Sequence, residues 1–190
     1  NGKQTGLFIY DVWDPNAGGA GVGHLTLPNV TNTDLFCSSQ LVMAQNGNIF
    51  IAGGDNFVNG NTTNTGNNNS NVYSSSDNTI ARGNDMNRAR WYSTATTLVN
   101  GEIYIQGGNG GGPVPEIRGS NGVFRLLPAA NTSTFSTLYP RNWLAPDARI
   151  FGFDNAGRMY YVNPSGTGTF QSAGQIPGAT AWTASAVMFQ

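Results

Sequence analysis

The chain is poor in the residues that most often carry chemistry. Its 190 residues include one cysteine, Cys37, and one histidine, His24. One cysteine excludes an internal disulfide framework, and one histidine cannot build a histidine metal cage by itself. Charge is scarce too: nine Lys+Arg, eight of them scattered arginines, face ten Asp+Glu, for a net charge of −1. Phosphate binding needs a dense basic face, so nucleic acid is not a partner, and a polybasic membrane patch is equally unsupported. The longest apolar runs are a few residues, so no segment spans a bilayer. Ala/Glu/Lys/Leu heptads and sustained 3.6-residue periods are missing, which leaves little room for helix. There is no Gly-x-Ser-x-Gly elbow. The cluster Gly107-Gly108-Asn109-Gly110-Gly111-Gly112 has no Lys-Ser/Thr after it and is no phosphate loop. Glu102 and Glu116 stand alone, so a paired-carboxylate site has no support.

Asparagine and glycine are abundant: 24 Asn and 26 Gly. With 38% hydrophobic and 11% aromatic residues the chain can still build a core, and it places Asn and Gly in turns. Three segments share one pattern of strand, short polar turn and second strand. The first runs Leu41-Val42-Met43-Ala44, turn Gln45-Asn46-Gly47-Asn48, then Ile49-Phe50-Ile51-Ala52-Gly53-Gly54. The second runs Ala95-Thr96-Thr97-Leu98, turn Val99-Asn100-Gly101-Glu102, then Ile103-Tyr104-Ile105-Gln106-Gly107-Gly108. The third runs Asn142-Trp143-Leu144-Ala145, turn Pro146-Asp147-Ala148-Arg149, then Ile150-Phe151-Gly152-Phe153. Asn-Gly between apolar runs is a hairpin signal. The Gly-Gly pairs recur 54 residues apart, from 53 to 107, and the third hairpin follows the second by 47, from Ile103 to Ile150. A period near 50 with several strands per unit predicts an all-β, kelch-type β-propeller. Leu41, Ile49, Ile51, Leu98, Ile103 and Ile105 are expected in its core. Further strands are expected at Asn71–Tyr73, Gly122–Leu127 and Arg158–Val162.

The opening Thr5–Asp11 reads as an outer strand, and the final Ala184–Phe189 repeats the first strand of the pattern. Residues 1–190 therefore read as a partial propeller domain that starts and ends mid-blade, about three blades plus partial ones. Open strand edges seek partners, so the rest of the propeller or other chains are expected to cover them. Residues 56–78, rich in Asn, Thr, Gly and Ser, read as a flexible surface loop. Composition low in Lys and Glu and high in Asn, Thr, Ser and Gly suits an extracellular β protein.

Two pieces are left that could carry chemistry, each just before an inner strand of neighbouring blades: Asp34-Leu35-Phe36-Cys37-Ser38-Ser39 and Asn87-Arg88-Ala89-Arg90-Trp91-Tyr92-Ser93-Thr94. Their equivalent phase lets Cys37 and Tyr92 face each other. On spacing alone the inert reading is the stronger: free cysteine is commonly a small buried hydrophobe, and a tyrosine there a core aromatic with a bonded hydroxyl.

At these residues the sequence resembles the galactose oxidase/glyoxal oxidase family of copper radical oxidases. The Asp-Leu-Phe-Cys segment, the Gly-Gly hairpin, Met86-Asn87-Arg88-Ala89-Arg90-Trp91-Tyr92 and the second Gly-Gly hairpin carry the likeness. It runs over most of the chain and is closest to bacterial galactose-oxidase-like proteins. The resemblance implies a seven-bladed propeller with one copper at its axis, Cys37 joined through sulfur to the ring of Tyr92, and the Tyr92 oxygen on the metal. It implies oxidation of a small alcohol, aldehyde or carbohydrate by O₂ with release of H₂O₂, and a secreted enzyme. Arg141, in Leu138-Tyr139-Pro140-Arg141-Asn142, corresponds to a substrate-contacting Arg, though two extra residues in the turn that follows disturb the match. The family's axial Tyr-His pair and second His have no counterpart in this sequence, so no copper is expected on this chain alone. Where the family stacks a Trp over the modified ring this chain has Gly110; Trp91 can take that place or point into the blade. A non-catalytic extracellular propeller for carbohydrate or protein binding, or for structural assembly, is the alternative.

Overall fold

A computed structural model describes residues 8–19, 21–177 and 185–188. Three four-stranded antiparallel sheets follow one another along the chain. The first contains β3 (Ser39–Val42), β4 (Ile49–Ala52), β7 (Ser70–Ser74) and β8 (Thr79–Arg82). The second contains β9 (Trp91–Thr97), β10 (Ile103–Asn109), β11 (Glu116–Arg118) and β12 (Phe124–Leu126). The third contains β13 (Arg141–Leu144), β14 (Ile150–Phe153), β15 (Arg158–Asn163) and β16 (Thr169–Gln175). Ahead of them lies a two-stranded piece, β1 (Ile9–Trp13) with β2 (His24–Pro28). Helix among the described residues amounts to one 3₁₀ turn at Pro15–Ala17. The architecture is all-β and of the propeller type.

The hairpins turn where the Asn-Gly pattern puts them. Met43 N–H donates to Asn48 O (2.7 Å), Leu98 N–H to Glu102 O (2.8 Å) and Ala145 N–H to Arg149 O (2.8 Å). The core lies between the sheets. Tyr104 packs with Leu98, Ile117, Ile150, Tyr160 and Val162, between the second and third sheets. Its strand neighbours Ile103 and Ile105 pack with Met43, Phe50 and Ala52 of the first. Successive side chains of a strand point to opposite faces, so β10 is buried on both, and this explains its unbroken apolar run. Gly53 and Gly54 end β4 where no side chain fits: a Cβ would fall 2.1 Å from Arg90 O and 2.0 Å from Asp34 O.

Four expectations need correction. Ile51, Leu98, Ile103 and Ile105 are buried, but Leu41 and Ile49 are only half-buried. Ile49 faces a cavity of about 270 Å³ shared with Tyr10, Val12 and Tyr73, between the first sheet and the β1–β2 piece. The segment read as a surface loop forms a hairpin, β5 (Asp55–Val58) with β6 (Asn61–Gly66). Asn59 (φ 51°) and Gly60 (φ 82°) turn it, because Asn and Gly tolerate the left-handed region. The first outer strand is β1, starting at Ile9; residues 5–7 lie outside the described residues. Residues 185–188 form no strand, since nothing among the described residues pairs with them; Ala184 and Phe189 lie outside that set.

Candidate functional site

The first strands of the three sheets are the elements that meet. The Ser39 and Ser93 hydroxyls lie 3.0 Å apart, and Thr96 Oγ1 donates to Asn142 O at 3.4 Å. Just before or at the start of these strands stand three residues in the same phase. Tyr92 N–H donates to Cys37 O (3.0 Å), and Tyr139 N–H donates to Tyr92 O (3.0 Å). All three occupy the left-handed region that non-glycine residues avoid: Cys37 at φ 61°, Tyr92 at 66° and Tyr139 at 48°. Such a conformation costs on the order of 1–2 kcal/mol per residue and persists only where the surroundings over-determine it.

The side chains converge as well. The Tyr92 hydroxyl reaches towards the Cys37 thiol, and that interaction, with burial and the Tyr139 phenol, pushes the Tyr92 pKa up to about 12. Burial raises the Cys37 thiol, and the Tyr92 hydroxyl works against it. Both groups are therefore neutral at physiological pH in the metal-free protein. The Trp91 ring stacks on Tyr92 with centroids 4.0 Å apart and planes at 26°. The Tyr139 ring lies 4.5 Å away on a 30° tilt. The Trp91 indole N–H is buried close to the sulfur without a well-formed hydrogen bond. Stacked rings shield the phenol from water and give a large polarisable surface beside it.

No protein-family model matches the chain. Two galactose oxidases of Gibberella zeae are each 27% identical to it, over 92% of this chain and 26% of theirs. Over most of its length the chain is similar to galactose oxidases. It spans about a quarter of the length of these curated relatives. Among solved structures, a fungal alcohol oxidase of the AA5 family, in complex with copper, superposes with a TM-score of 0.69 at 17% identity, over 90% of this chain and 36% of that one. That likeness shows the fold.

Three residues singled out in the sequence have clear local settings. Gly110 sits at φ +90°, and a Cβ there would lie 3.1 Å from Ala89 Cβ and 3.2 Å from Ala89 O. That position is closed to a stacking indole, and Trp91 provides the stack. Arg141 begins β13 two residues after Tyr139, and its Nη1 donates to Tyr139 O (3.1 Å) and Asn155 Oδ1 (2.5 Å). Burial lowers its pKa, and Asp154 opposes that. His24 lies away from this group, on β2, with Nδ1 2.6 Å from Asp11 Oδ2. Among the described residues no three His, Cys, Asp or Glu side chains cluster as metal ligands. The oxygen and sulfur donors that meet here are the Tyr92 and Tyr139 phenols and the Cys37 thiol.

Tyr139 escaped the sequence reading, although the signal was present. The repeat steps by 54 and then 47 residues; Cys37 to Tyr92 is 55 and Tyr92 to Tyr139 is 47. Following the phase of the hairpins leads to Tyr139, two residues before Arg141.

Proposed function

We propose that this chain is the part of a copper radical oxidase that carries the redox cofactor, a thioether between Cys37 and Tyr92. The observation that supports it is the convergence of Cys37 and Tyr92, tied by the Tyr92 N–H to Cys37 O bond, with the Trp91 ring stacked on Tyr92. In this reading the reaction is oxidation of a small alcohol, aldehyde or carbohydrate, with O₂ reduced to H₂O₂. Copper would supply one one-electron exchange and the modified phenol the other. Imidazole and oxygen ligands suit that metal, and Tyr92 would provide the phenolate from this chain. The one histidine here, His24, lies away from the site, so the imidazoles would come from outside residues 1–190.

The chain's own residues have separable parts in this reading. The sulfur on the Tyr92 ring makes the phenol easier to oxidise and fixes the ring to the neighbouring sheet. Trp91 covers one ring face against water. Tyr139 sets a second phenol against Tyr92, and Arg141, anchored beside Tyr139, faces substrate. Further blades complete a seven-bladed, kelch-type ring outside the cell, and they or other chains cover the open strand edges.

Mass spectrometry of the full-length protein after exposure to copper and O₂ tests the assignment. The expected product is a joined pair of peptides containing Cys37 and Tyr92, lighter by two hydrogens. Tyr92→Phe and Cys37→Ala are each expected to abolish the joined peptide and drop H₂O₂ production to background. Separate peptides in a copper-loaded protein would instead support the non-catalytic propeller.

A further inference from the structure

Two residues before Tyr92 begins a group that the oxidase reading does not use. Arg90 and Glu116 are both fully buried and ion-paired, with Arg90 Nη2 2.9 Å from Glu116 Oε1. Arg90 Nε donates to the same oxygen (2.9 Å), Nη1 to Gly107 O (2.6 Å) and Nη2 also to Val114 O (2.9 Å). Glu116 Oε2 accepts from Asn87 N–H (2.8 Å) and Asn87 Nδ2 (3.1 Å). The Arg90 backbone is used as fully: its N–H donates to Asn67 O (2.8 Å), and its O accepts from Gly54 N–H (2.9 Å). Three segments thus meet at one residue: the end of β4, the end of the β5–β6 hairpin, and the end of β10 with the approach to β11. Gly108 packs so tightly that a Cβ there would lie 3.1 Å from Arg90 Cα and 3.1 Å from Trp91 N.

Stability alone does not call for this arrangement. Removing two charges from water is expensive, and a well-packed apolar pair commonly does as well. What a fully bonded buried pair supplies is a single geometry. The residues directly after Arg90 are the ones that need it: Trp91, stacked on its neighbour, and Tyr92, held at φ 66°.

We propose that the Arg90–Glu116 pair is a positioning device for the Cys37–Tyr92 couple: it clamps residues 87–90 so that Tyr92 keeps its left-handed backbone and its ring stays beside Cys37. The purpose assigned to the clamp rests on the cofactor reading above; its geometric effect does not. When the thioether forms, the S–H bond and one ring C–H bond break, a C–S bond forms, and O₂ takes the two electrons and two protons as H₂O₂. That exchange needs sulfur and ring held together beforehand, and orientation of this kind is worth orders of magnitude in rate. Arg90 and Glu116 touch neither group, so their role is positional.

The test is the alkylation rate of Cys37 by iodoacetamide in copper-free full-length protein, followed by peptide mass and run well below the melting temperature. Arg90→Met, which keeps the bulk and loses the bonds, is expected to alkylate about tenfold faster, because a loosened Tyr92 uncovers the thiol. Gly108→Ala pushes on the same backbone without touching a charge and is expected to act in the same direction; Glu116→Gln should do so more weakly. With copper and O₂, each variant is expected to give less joined peptide than wild type. A purely structural pair would lower the melting temperature and leave the alkylation rate alone, so a folded variant alkylating at the wild-type rate overturns the proposal. If Arg90→Met does not fold, Gly108→Ala and Glu116→Gln decide. A wild-type protein that never forms the joined peptide sinks the cofactor reading, while the alkylation rates still judge the clamp.

Discussion

The two ends of each blade solve the same backbone problem with different residues. At the turn end, left-handed backbone falls on Gly47 (φ 72°) and Ala148 (φ 65°), which are exposed, and on the half-buried Gly101 (φ 80°). At the opposite end it falls on Cys37, Tyr92 and Tyr139, which are half-buried and share backbone hydrogen bonds. Glycine adopts that conformation without steric cost. Glycine takes left-handed backbone at the site end as well, at Gly53 (φ 71°) and Gly107 (φ 74°), so holding Cys37, Tyr92 and Tyr139 in it gives up stability for three particular side chains, the pattern expected of a functional site. The turn end is local and replaceable. The other end depends on partners far away in sequence, and Arg90 with Glu116 is the extreme case.

The strongest way to break this contrast is Glu116→Ala. It leaves the Arg90 guanidinium buried, with Gly107 O and Val114 O but without its counter-charge. Burial already lowers that guanidinium's pKa, and Glu116 is what opposes the shift. An uncompensated buried charge costs about 3–5 kcal/mol, and urea denaturation is expected to show a loss of that size. Replacing both partners together, Arg90→Met with Glu116→Leu, is expected to recover much of it, because stability then no longer depends on a charge. The double variant should still expose Cys37 if the pair's task is positional.

How much of this could be read in advance follows the same division. The turn end was legible, because Asn-Gly between alternating apolar residues is a local signal. Propeller class followed from the spacing of the Gly-Gly pairs. Asn59-Gly60 carries that same turn signal, yet the polar residues around it made a surface loop the natural reading; β5 and β6 pair through their backbones and need few apolar side chains. Glu116 stood alone in the sequence, 26 residues from Arg90, and nothing local links them. The equivalent phase of Cys37 and Tyr92 was legible in the repeat and the chemistry expected of them came from family likeness; Tyr139 holds the same phase on the third sheet, 47 residues on.

Titration sharpens the comparison from the site end. The Tyr92 pKa lies above the ordinary 10.0, at about 12, with the Cys37 thiol as the leading cause. A raised folded-state value means that the neutral phenol is the favoured form. Its stabilising contribution is complete below pH ~10 and is lost as pH rises through about 12. Ultraviolet titration of the metal-free protein, taken as the difference from Tyr92→Phe so that the late-ionising Tyr104 and Tyr160 cancel, is expected to show Tyr92 ionising late, and Cys37→Ala should bring that difference back toward 10.0. A late ionisation that survives Cys37→Ala would mean that burial, not the thiol, governs the phenol.

The smallest effects belong to the turn end, where a matched pair of substitutions tests whether the backbone alone sets the energy. Gly101 at φ 80° and Ala148 at φ 65° occupy equivalent turn positions. Gly101→Ala is expected to destabilise by about 1–2 kcal/mol, the steric cost of a left-handed L-residue. Part of the measured loss will come from Gln45, whose Nε2 donates to Gly101 O at 2.8 Å and would have to move from the new Cβ. Ala148→Gly is the cleaner partner. Ala148 is exposed, and its N–H donates to Ala145 O (2.9 Å), a bond that glycine keeps. Relief of about 1–2 kcal/mol of strain is offset by the extra freedom glycine gives the unfolded chain, about 0.5–1 kcal/mol. The net expectation is a gain of about 0.5–1 kcal/mol, read as a rise in the urea midpoint with an unchanged slope. The same substitution at Tyr139 removes comparable strain but also the ring packed on Tyr92, and there the midpoint is expected to fall. A rise at both positions would show that the left-handed residues at the site end are held there by nothing more than their turns.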